Sequence, residues 1–161
     1  MPGSQDHIKQ ALHNLSFLEK VNSSLPDYYD WQVTVCFYSA LHLVNSHLSH
    51  FNLQYRKHKD VKDALSPYSQ LSPAKLPENE YAAYVTLQSL SRRARYLVNE
   101  KDDNLSSGQA FFTYDKHFGK ALKHLNTLMS YFNGRYQLSL PKIKAGCSDL
   151  QYQGLNFIIK P

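Results

Sequence analysis

Tyr38 and His42 lie four residues apart in the apolar stretch VCFYSALHLVNSHL, which covers residues 35–48. A helix brings residues at this spacing to one face, so a phenol and an imidazole become neighbours. The pair predicts part of a ligand pocket between helices. The alternative is a core histidine that hydrogen-bonds a neighbouring side chain or carbonyl group, as buried polar groups usually do.

Arg56, Lys57 and His58 form a second candidate, where a connection meets the start of a short helix. Backbone N–H groups at a helix N-terminus point outward, and the helix dipole there favours anions. Two cations and a titratable imidazole at this position predict a phosphate-binding site. A solvated basic loop is the alternative in a protein that is basic overall.

A third candidate crowds the C-terminal end of a later helix, with Arg92, Arg93 and Arg95. A helix places Arg92 next to Arg95, and guanidinium groups are well suited to bind a phosphate or a carboxylate. Tyr96, beside them, is positioned to stack on a base or to close the end of a helix bundle. The alternative explanation is the helix dipole, which by itself favours cations at this end.

Histidines are frequent, but their pattern does not predict a metal site. His47 and His50 lie three residues apart, with His42 earlier on the same helix, and no carboxylate or cysteine accompanies them at a ligand spacing. Cys36 and Cys147 lack the spacing of a disulfide framework or a zinc site. The sequence also lacks a glycine-rich phosphate loop and paired carboxylates. We therefore expect neither a metal ion nor a cofactor.

The composition favours one folded domain rather than a disordered chain. The 161 residues are 42% hydrophobic and 19% charged, and the 6 glycines and 7 prolines cluster between long periodic segments, which favours helices. A net charge of +5 is compatible with nucleic acid or phosphate ligands, and the 12 tyrosines offer stacking surfaces for bases. Because neither a signal pattern nor a membrane-spanning run occurs, we expect a soluble cytoplasmic protein without a membrane partner.

Hydrophobic spacing predicts four long helices and one short helix. Ser4, Asp27 and Thr113 are the expected caps of three of them, and Gly134 is the expected stop of the last. The polar connection 99–110 is expected to be mobile. The expected limits are Ser4 to Leu25, Asp27 to His50, 57–65, Pro77 to Val98 and Thr113 to Gly134. The expected common core contains Trp31, Val35, Phe37, Leu41, Leu87, Leu90, Leu125 and Leu128.

Short connections between successive helices favour an all-α, four-helix up-and-down bundle over residues 1–134, with the short helix as an addition. Residues 135–161 change in character, with Pro and Gly breaks and short β-favouring runs. We expect this extended tail to carry one or two short strands. Its apolar end, LNFIIK, predicts packing on the bundle or on the partner of a dimer.

Three segments together resemble the HEPN superfamily of small helical domains: DWQVTVCFYSALHLV, YRKHKDVKDAL and LSRRARYLV. The resemblance implies a four-helix up-and-down bundle, frequent dimerisation and association with RNA or nucleotides. Many members are metal-independent ribonucleases with an Arg, four to six residues and then a His. This sequence departs from that motif, since one residue separates Arg56 from His58, and the first histidine after Arg95 is His117.

These observations predict a homodimeric HEPN-like domain that binds RNA, nucleotide or a nucleic-acid-associated partner without catalysis. The predicted ligand-binding residues are Tyr38, His42, Arg56, Lys57, His58, Arg92, Arg95 and Tyr96. We expect the second and fourth helices to run parallel, because a single short antiparallel helix lies between them. This arrangement brings Tyr38, His42, Arg56, His58 and Arg95 together near one end of the bundle. A metal-independent, toxin-like ribonuclease is the first alternative, with His58 as general acid or base and Arg56 stabilising the developing charge. A protein-interaction or antitoxin-like subunit is the second.

Overall fold

The computed structural model of the chain describes residues 1–99 and 108–161. This part of the chain contains five helices and two short strands, which confirms the all-α class with an extended tail. Most of the polar connection 99–110, for which mobility is predicted, lies outside the described residues. No described helix combines the length and the apolar character that crossing a bilayer requires. The elements are α1 (Ser4–Ser24), α2 (Tyr29–Ser49), α3 (His58–Leu65), α4 (Glu78–Tyr96), α5 (Asp115–Tyr136), β1 (Ile143–Lys144) and β2 (Ile158–Ile159).

Two helices start one or two residues after their predicted caps. Asp27 precedes α2 by two residues, and Tyr28 occupies the N-cap position instead. Thr113 is displaced in the same way by Tyr114, whose N–H donates to Nδ1 of His117 at 2.9 Å. The histidine side chain therefore satisfies one of the backbone N–H groups at the start of α5, a role that a Glu or Gln three residues after the N-cap usually has.

The outer ends of α1 and α5 also differ from the prediction. Gly3 precedes the first helical residue, so Ser4 lies inside α1 rather than capping it. The last helix continues through Gly134 to Tyr136. The left-handed conformation that ends it falls on Gln137, with φ of 51°, and the glycine is therefore not needed as a stop.

Helix α2 is central and packs against α1, α4 and α5. Ser4 at the start of α1 hydrogen-bonds Ser46 near the end of α2, with 2.7 Å between the hydroxyl oxygens, so these two helices are antiparallel. His58, the first residue of α3, contacts Phe37 in the middle of α2, whereas Ala74 contacts His47 near its end. The chain thus travels back along α2 and returns before α4 begins. Helices α2 and α4 are antiparallel, and the prediction that they run parallel is wrong.

The core confirms most of the predicted apolar positions but not Trp31. Phe37, Leu87 and Leu125 are fully buried, whereas Trp31 is 62% exposed and Val35 is half-buried. Trp31 and Val35 belong to one stripe on α2, and that stripe lies at the edge of the buried surface. Nearly the whole circumference of α2 is apolar or aromatic, so spacing alone does not show which part faces the core.

The tail fills the side of the bundle between α1 and α5. Asn22 of α1 exchanges two hydrogen bonds with the backbone of Gly146, at 2.9 and 3.0 Å. Asn126 of α5 accepts the Phe157 N–H at 2.8 Å, and β1 pairs with β2 in parallel. The tail therefore shares one core with the helices. Its buried side chains are Leu140, Ile143, Ala145, Leu150 and Ile158.

Candidate functional site

A cleft of about 490 Å³ lies between α3 and the C-terminal half of α4. We call it the α3–α4 cleft. Val85, Gln88 and Tyr96 contribute to its lining, and no Asp or Glu does so among the described residues. The remaining lining residues are basic or titratable: His58, Lys59, Lys62, Arg92 and Arg95. Four cations from two helices surround the cleft, which makes it a strongly positive concavity.

Helix α3 is short, and buried apolar side chains hold it against the bundle. Val61, Ala64 and Leu65 are buried, and the Leu76 N–H donates to the Leu65 carbonyl at 2.9 Å. One flank of α3, which carries His58, Lys59 and Lys62, forms one wall of the cleft. His58 and Lys62 share a face at i and i+4, and Lys59 lies about 100° round the helix from His58.

Arg95 is held in place by aromatic rings and by its own helix. Its guanidinium lies 5.8 Å from the centre of the Tyr38 ring and 5.0 Å from that of Tyr96. The Nε–H donates to the Ser91 carbonyl at 3.3 Å, and Nη1 donates to the Tyr96 hydroxyl at 3.4 Å. Cation–π contacts of this kind position the planar group without neutralising its charge. Arg95 therefore presents a fixed positive charge to the cleft.

His58 is half-buried, and its ring packs edge-on against Phe37 with 5.4 Å between the ring centres. Burial lowers the pKa of His58 below its usual 6.5, and the nearby Arg95 charge lowers it further. The imidazole is therefore neutral at pH 7. No hydrogen bond joins its side chain to the described residues, and the imidazole lines the α3–α4 cleft.

The structure brings five of the eight predicted ligand-binding residues together. Four of them line the α3–α4 cleft: His58, Arg92, Arg95 and Tyr96. The fifth, Tyr38, contacts the Arg95 guanidinium with its ring. The group lies beside the middle of α2 rather than at its C-terminal end, because the chain travels back along α2 before α3 begins.

Three predicted residues lie outside the cleft. Arg56 and Lys57 are exposed residues that precede α3, and neither lines the α3–α4 cleft. His42 faces α1, where its Nδ1 lies 3.1 Å from Nδ1 of His7. Burial lowers the pKa of both imidazoles. Tyr38 contacts Arg95 of α4, whereas His42 contacts His7 of α1, so the two side chains do not belong to one site.

Sequence reasoning missed Lys59, Lys62 and Gln88 as lining residues. The signal was present: Gln88, Arg92 and Arg95 follow the i, i+4, i+7 spacing of one helical stripe. Lys59 and Lys62 have the i, i+3 spacing on α3. Pairing the two stripes required the relative position of α3 and α4, which spacing does not contain.

The histidines at the end of α2 have structural partners. His47 is buried, with Nδ1 2.6 Å from the Tyr136 hydroxyl and Nε2 3.0 Å from the Ala74 carbonyl. His50 stacks on the Tyr136 ring with 4.3 Å between the ring centres. Within residues 1–99 and 108–161, no group of three His, Cys, Asp or Glu side chains is arranged to hold a metal ion.

Comparison of the chain with family models, curated proteins and solved structures gives no match.

Proposed function

We propose that the chain is a HEPN-like domain that binds RNA through the α3–α4 cleft without cleaving it. The observation that carries the proposal is the lining of the cleft, where the described residues supply four cations and one imidazole and no carboxylate. Phosphodiester groups are the abundant cellular anions that such a site fits, and Arg side chains bind them through two parallel hydrogen bonds.

The base as well as the phosphate has a place in this cleft. The Tyr96 side chain is 60% exposed beside Arg95, and an exposed aromatic ring next to a cation is a stacking platform for an unpaired base. Val85 and Gln88 add an apolar and a hydrogen-bonding surface. A nucleotide unit bound here places its phosphate among the cations and its base against Tyr96.

The helix dipole does not account for all of these cations. It favours Arg95 in the last turn of α4 and Lys62 in the last turn of α3. Lys59, however, lies in the first turn of α3, where the dipole disfavours a positive charge. Its presence on the wall of the cleft supports a role in binding an anion.

Metal-independent RNA cleavage is the second candidate function, and the neighbouring positions of His58 and Arg95 favour it. A neutral imidazole can accept the proton of a ribose 2′-hydroxyl, and a guanidinium can stabilise the charge that develops on the phosphorus oxygens. Arg95 takes the place predicted for Arg56, which lies outside the cleft. We prefer binding without cleavage because the Arg-and-His motif of the family's nucleases is absent from the sequence.

Fluorescence anisotropy with a labelled 12-nucleotide single-stranded RNA tests the proposal. Arg92→Ala with Arg95→Ala should weaken binding roughly tenfold or more at low salt, because charged hydrogen bonds are lost. The slope of log affinity against log salt should fall by about 1.4, or about 0.7 for each phosphate contact. Lys9→Ala with Lys20→Ala removes the same charge from exposed positions on α1 and should change the affinity little.

The same assay separates the alternatives. If wild-type protein does not bind the RNA at low salt, the proposal fails and the protein-interaction or antitoxin-like role replaces it. If the RNA is cut in the presence of EDTA and His58→Ala abolishes the cutting, the ribonuclease alternative is correct. The homodimer and the cytoplasmic location stay predictions, and analytical ultracentrifugation of the full chain tests the first.

A further inference from the structure

A second basic hollow lies on the other side of α4. It has a volume of about 340 Å³, and its charged and titratable lining residues are Arg93, His117 and Lys120. No carboxylate lines it among the described residues. We call it the α4–α5 hollow. Arg93 belongs to the third candidate of the sequence analysis, but the function proposed above does not use the hollow.

The two basic sites are separated only by the outer ridge of α4. Val85 lines both of them, and the adjacent residues Arg92 and Arg93 project to opposite sides of that ridge. Consecutive residues on a helix point about 100° apart, which explains why this pair divides between the two sites. A helix with its side chains is about 10–12 Å across. A chain of a few nucleotides spans this distance, whereas one nucleotide does not reach both sites.

The second hollow carries the same combination of cations and aromatic rings as the first. The Arg93 guanidinium lies 5.4 Å from the centre of the Phe111 ring, and its Nε–H donates to the Phe112 carbonyl at 2.8 Å. The nearby side chains of Phe112 and Tyr114 are each 54% exposed. The Tyr114 ring packs against His117 with 5.8 Å between the ring centres.

The helix dipole again explains only part of the positive charge. It favours Arg93 in the last turn of α4, but it disfavours Lys116 in the first turn of α5 and does not act on Lys120 in the second turn. Lys120 also lines a neighbouring hollow with Lys116 and Lys123, in which Asp149 is the one acidic residue among the described lining residues. The basic surface therefore continues from α3 across α4 onto α5, although two of the three helices carry lysine where it weakens the helix.

We propose that a single strand of RNA crosses the ridge of α4, with phosphates in the α3–α4 cleft and in the α4–α5 hollow. This deepens the proposed function and depends on it: the ligand is an oligonucleotide rather than a mononucleotide. Unpaired bases stack on the exposed rings of Tyr96, Phe112 and Tyr114. A duplex keeps its bases paired and stacked on each other, so it gains nothing from these rings.

The test compares RNA ligands of different length on the full chain. In anisotropy titrations at low salt, wild-type protein should bind a 12-nucleotide single strand at least tenfold more tightly than a dinucleotide, and more tightly than a 12-base-pair RNA duplex. Arg93→Ala with Lys120→Ala should weaken binding of the 12-nucleotide strand severalfold and reduce its salt slope by about 1.4. The same variant should leave dinucleotide binding within about twofold, because the α3–α4 cleft is intact.

Lys120→Ala alone guards against a folding effect, since its side chain is exposed and no described hydrogen bond depends on it. It should reduce the salt slope for the 12-nucleotide strand by about 0.7 and leave the unfolding transition unchanged. The proposal is overturned if the strand and the dinucleotide bind equally, if the duplex binds as tightly as the single strand, or if both variants bind the strand like wild type. Loss of all RNA binding in the wild type instead contradicts the function proposed above.

Discussion

His47 belongs to α2, and His58 of α3 packs against it. Burial lowers the pKa of both imidazoles, yet their surroundings differ. Both ring nitrogens of His47 have partners in the protein, the Tyr136 hydroxyl and the Ala74 carbonyl. His58 has a ring contact with Phe37 and an open cationic cleft in front of it. A lowered pKa is therefore shared by a histidine that holds helices together and by one that faces a potential ligand.

The hydrogen-bond partners separate the two roles. A carbonyl oxygen only accepts, so Nε2 of His47 carries the proton and donates to Ala74, and Nδ1 accepts from the Tyr136 hydroxyl. This tautomer is neutral, and it joins α2 to α5 and to the segment before α4. Protonation of His47 would turn Nδ1 into a donor and weaken the contact with Tyr136. A histidine of this kind stabilises the fold while its imidazole is neutral, and it is not placed to bind an anion.

The largest effect is expected from His47→Phe. The ring volume remains similar, but the Ala74 carbonyl loses its buried donor and the Tyr136 hydroxyl its acceptor, which should cost about 2–4 kcal/mol of unfolding free energy. Urea denaturation at pH 7.5 measures this loss. Exposed His13→Phe is the matched control and should leave the unfolding free energy nearly unchanged. Equal stability of the two variants would show that the hydrogen bonds of His47 contribute little.

The pH dependence of stability sharpens the same contrast. Burial lowers the pKa of His47 from 6.5 to about 4 in the folded protein. Between these two pH values the unfolded chain binds the proton and the folded chain does not, so stability falls as the pH falls. The contribution of His47 is fully present above pH 6.5, and about 3 kcal/mol of it is lost by pH 4. His47→Phe should flatten the decline by this amount, as urea titrations across that range will show.

Tyr136→Phe probes the same contact with a smaller change. The ring stays, so stacking on His50 is kept, while the hydroxyl that donates to His47 at 2.6 Å is removed. The Arg135 Nε–H also loses its acceptor, but this group is exposed to water. We expect a loss of about 1 kcal/mol, which thermal and urea unfolding both measure. A double-mutant cycle with His47→Phe should give non-additive values, because the two changes remove one shared hydrogen bond.

The helix order and most of the core were predictable because apolar residues recur every three or four positions in the long helices. Leu87 and Leu125 are buried as expected, whereas Trp31 is exposed. Spacing identifies the stripes on a helix, but on a helix as apolar as α2 it does not show which stripe has neighbours on both sides. That information depends on how α1, α4 and α5 surround α2.

The candidate site was predictable in part for the same reason. Arg92 and Arg95 share a helical stripe, which the sequence shows. The placement of His58 beside Arg95 depends on the path of the chain back along α2, and the pairing of His42 with His7 depends on α1. Contacts between residues far apart in the chain decided both outcomes, and a single sequence carries no direct signal for them.

His58→Asn should have the smallest effect on stability and an informative effect on binding. The ring of His58 is half-buried and packs against Phe37 without a hydrogen bond to the described residues, so the unfolding free energy should change by less than about 1 kcal/mol. If RNA phosphate binds beside His58, its negative charge favours the imidazolium and raises the pKa that burial and Arg95 have lowered.

The affinity of the wild type for RNA should therefore rise as the pH falls below 6.5, since proton uptake at His58 then accompanies binding. His58→Asn keeps a polar side chain but cannot take up the proton, and it should reduce that rise while its affinity at pH 7.5 stays within about threefold of wild type. His117→Asn is the matched control for an imidazole outside the α3–α4 cleft, measured with a dinucleotide that occupies the cleft alone. A dinucleotide affinity that does not change between pH 7.5 and pH 5.5 would place the phosphate away from His58. His58 would then have no role in binding RNA that distinguishes it from His47.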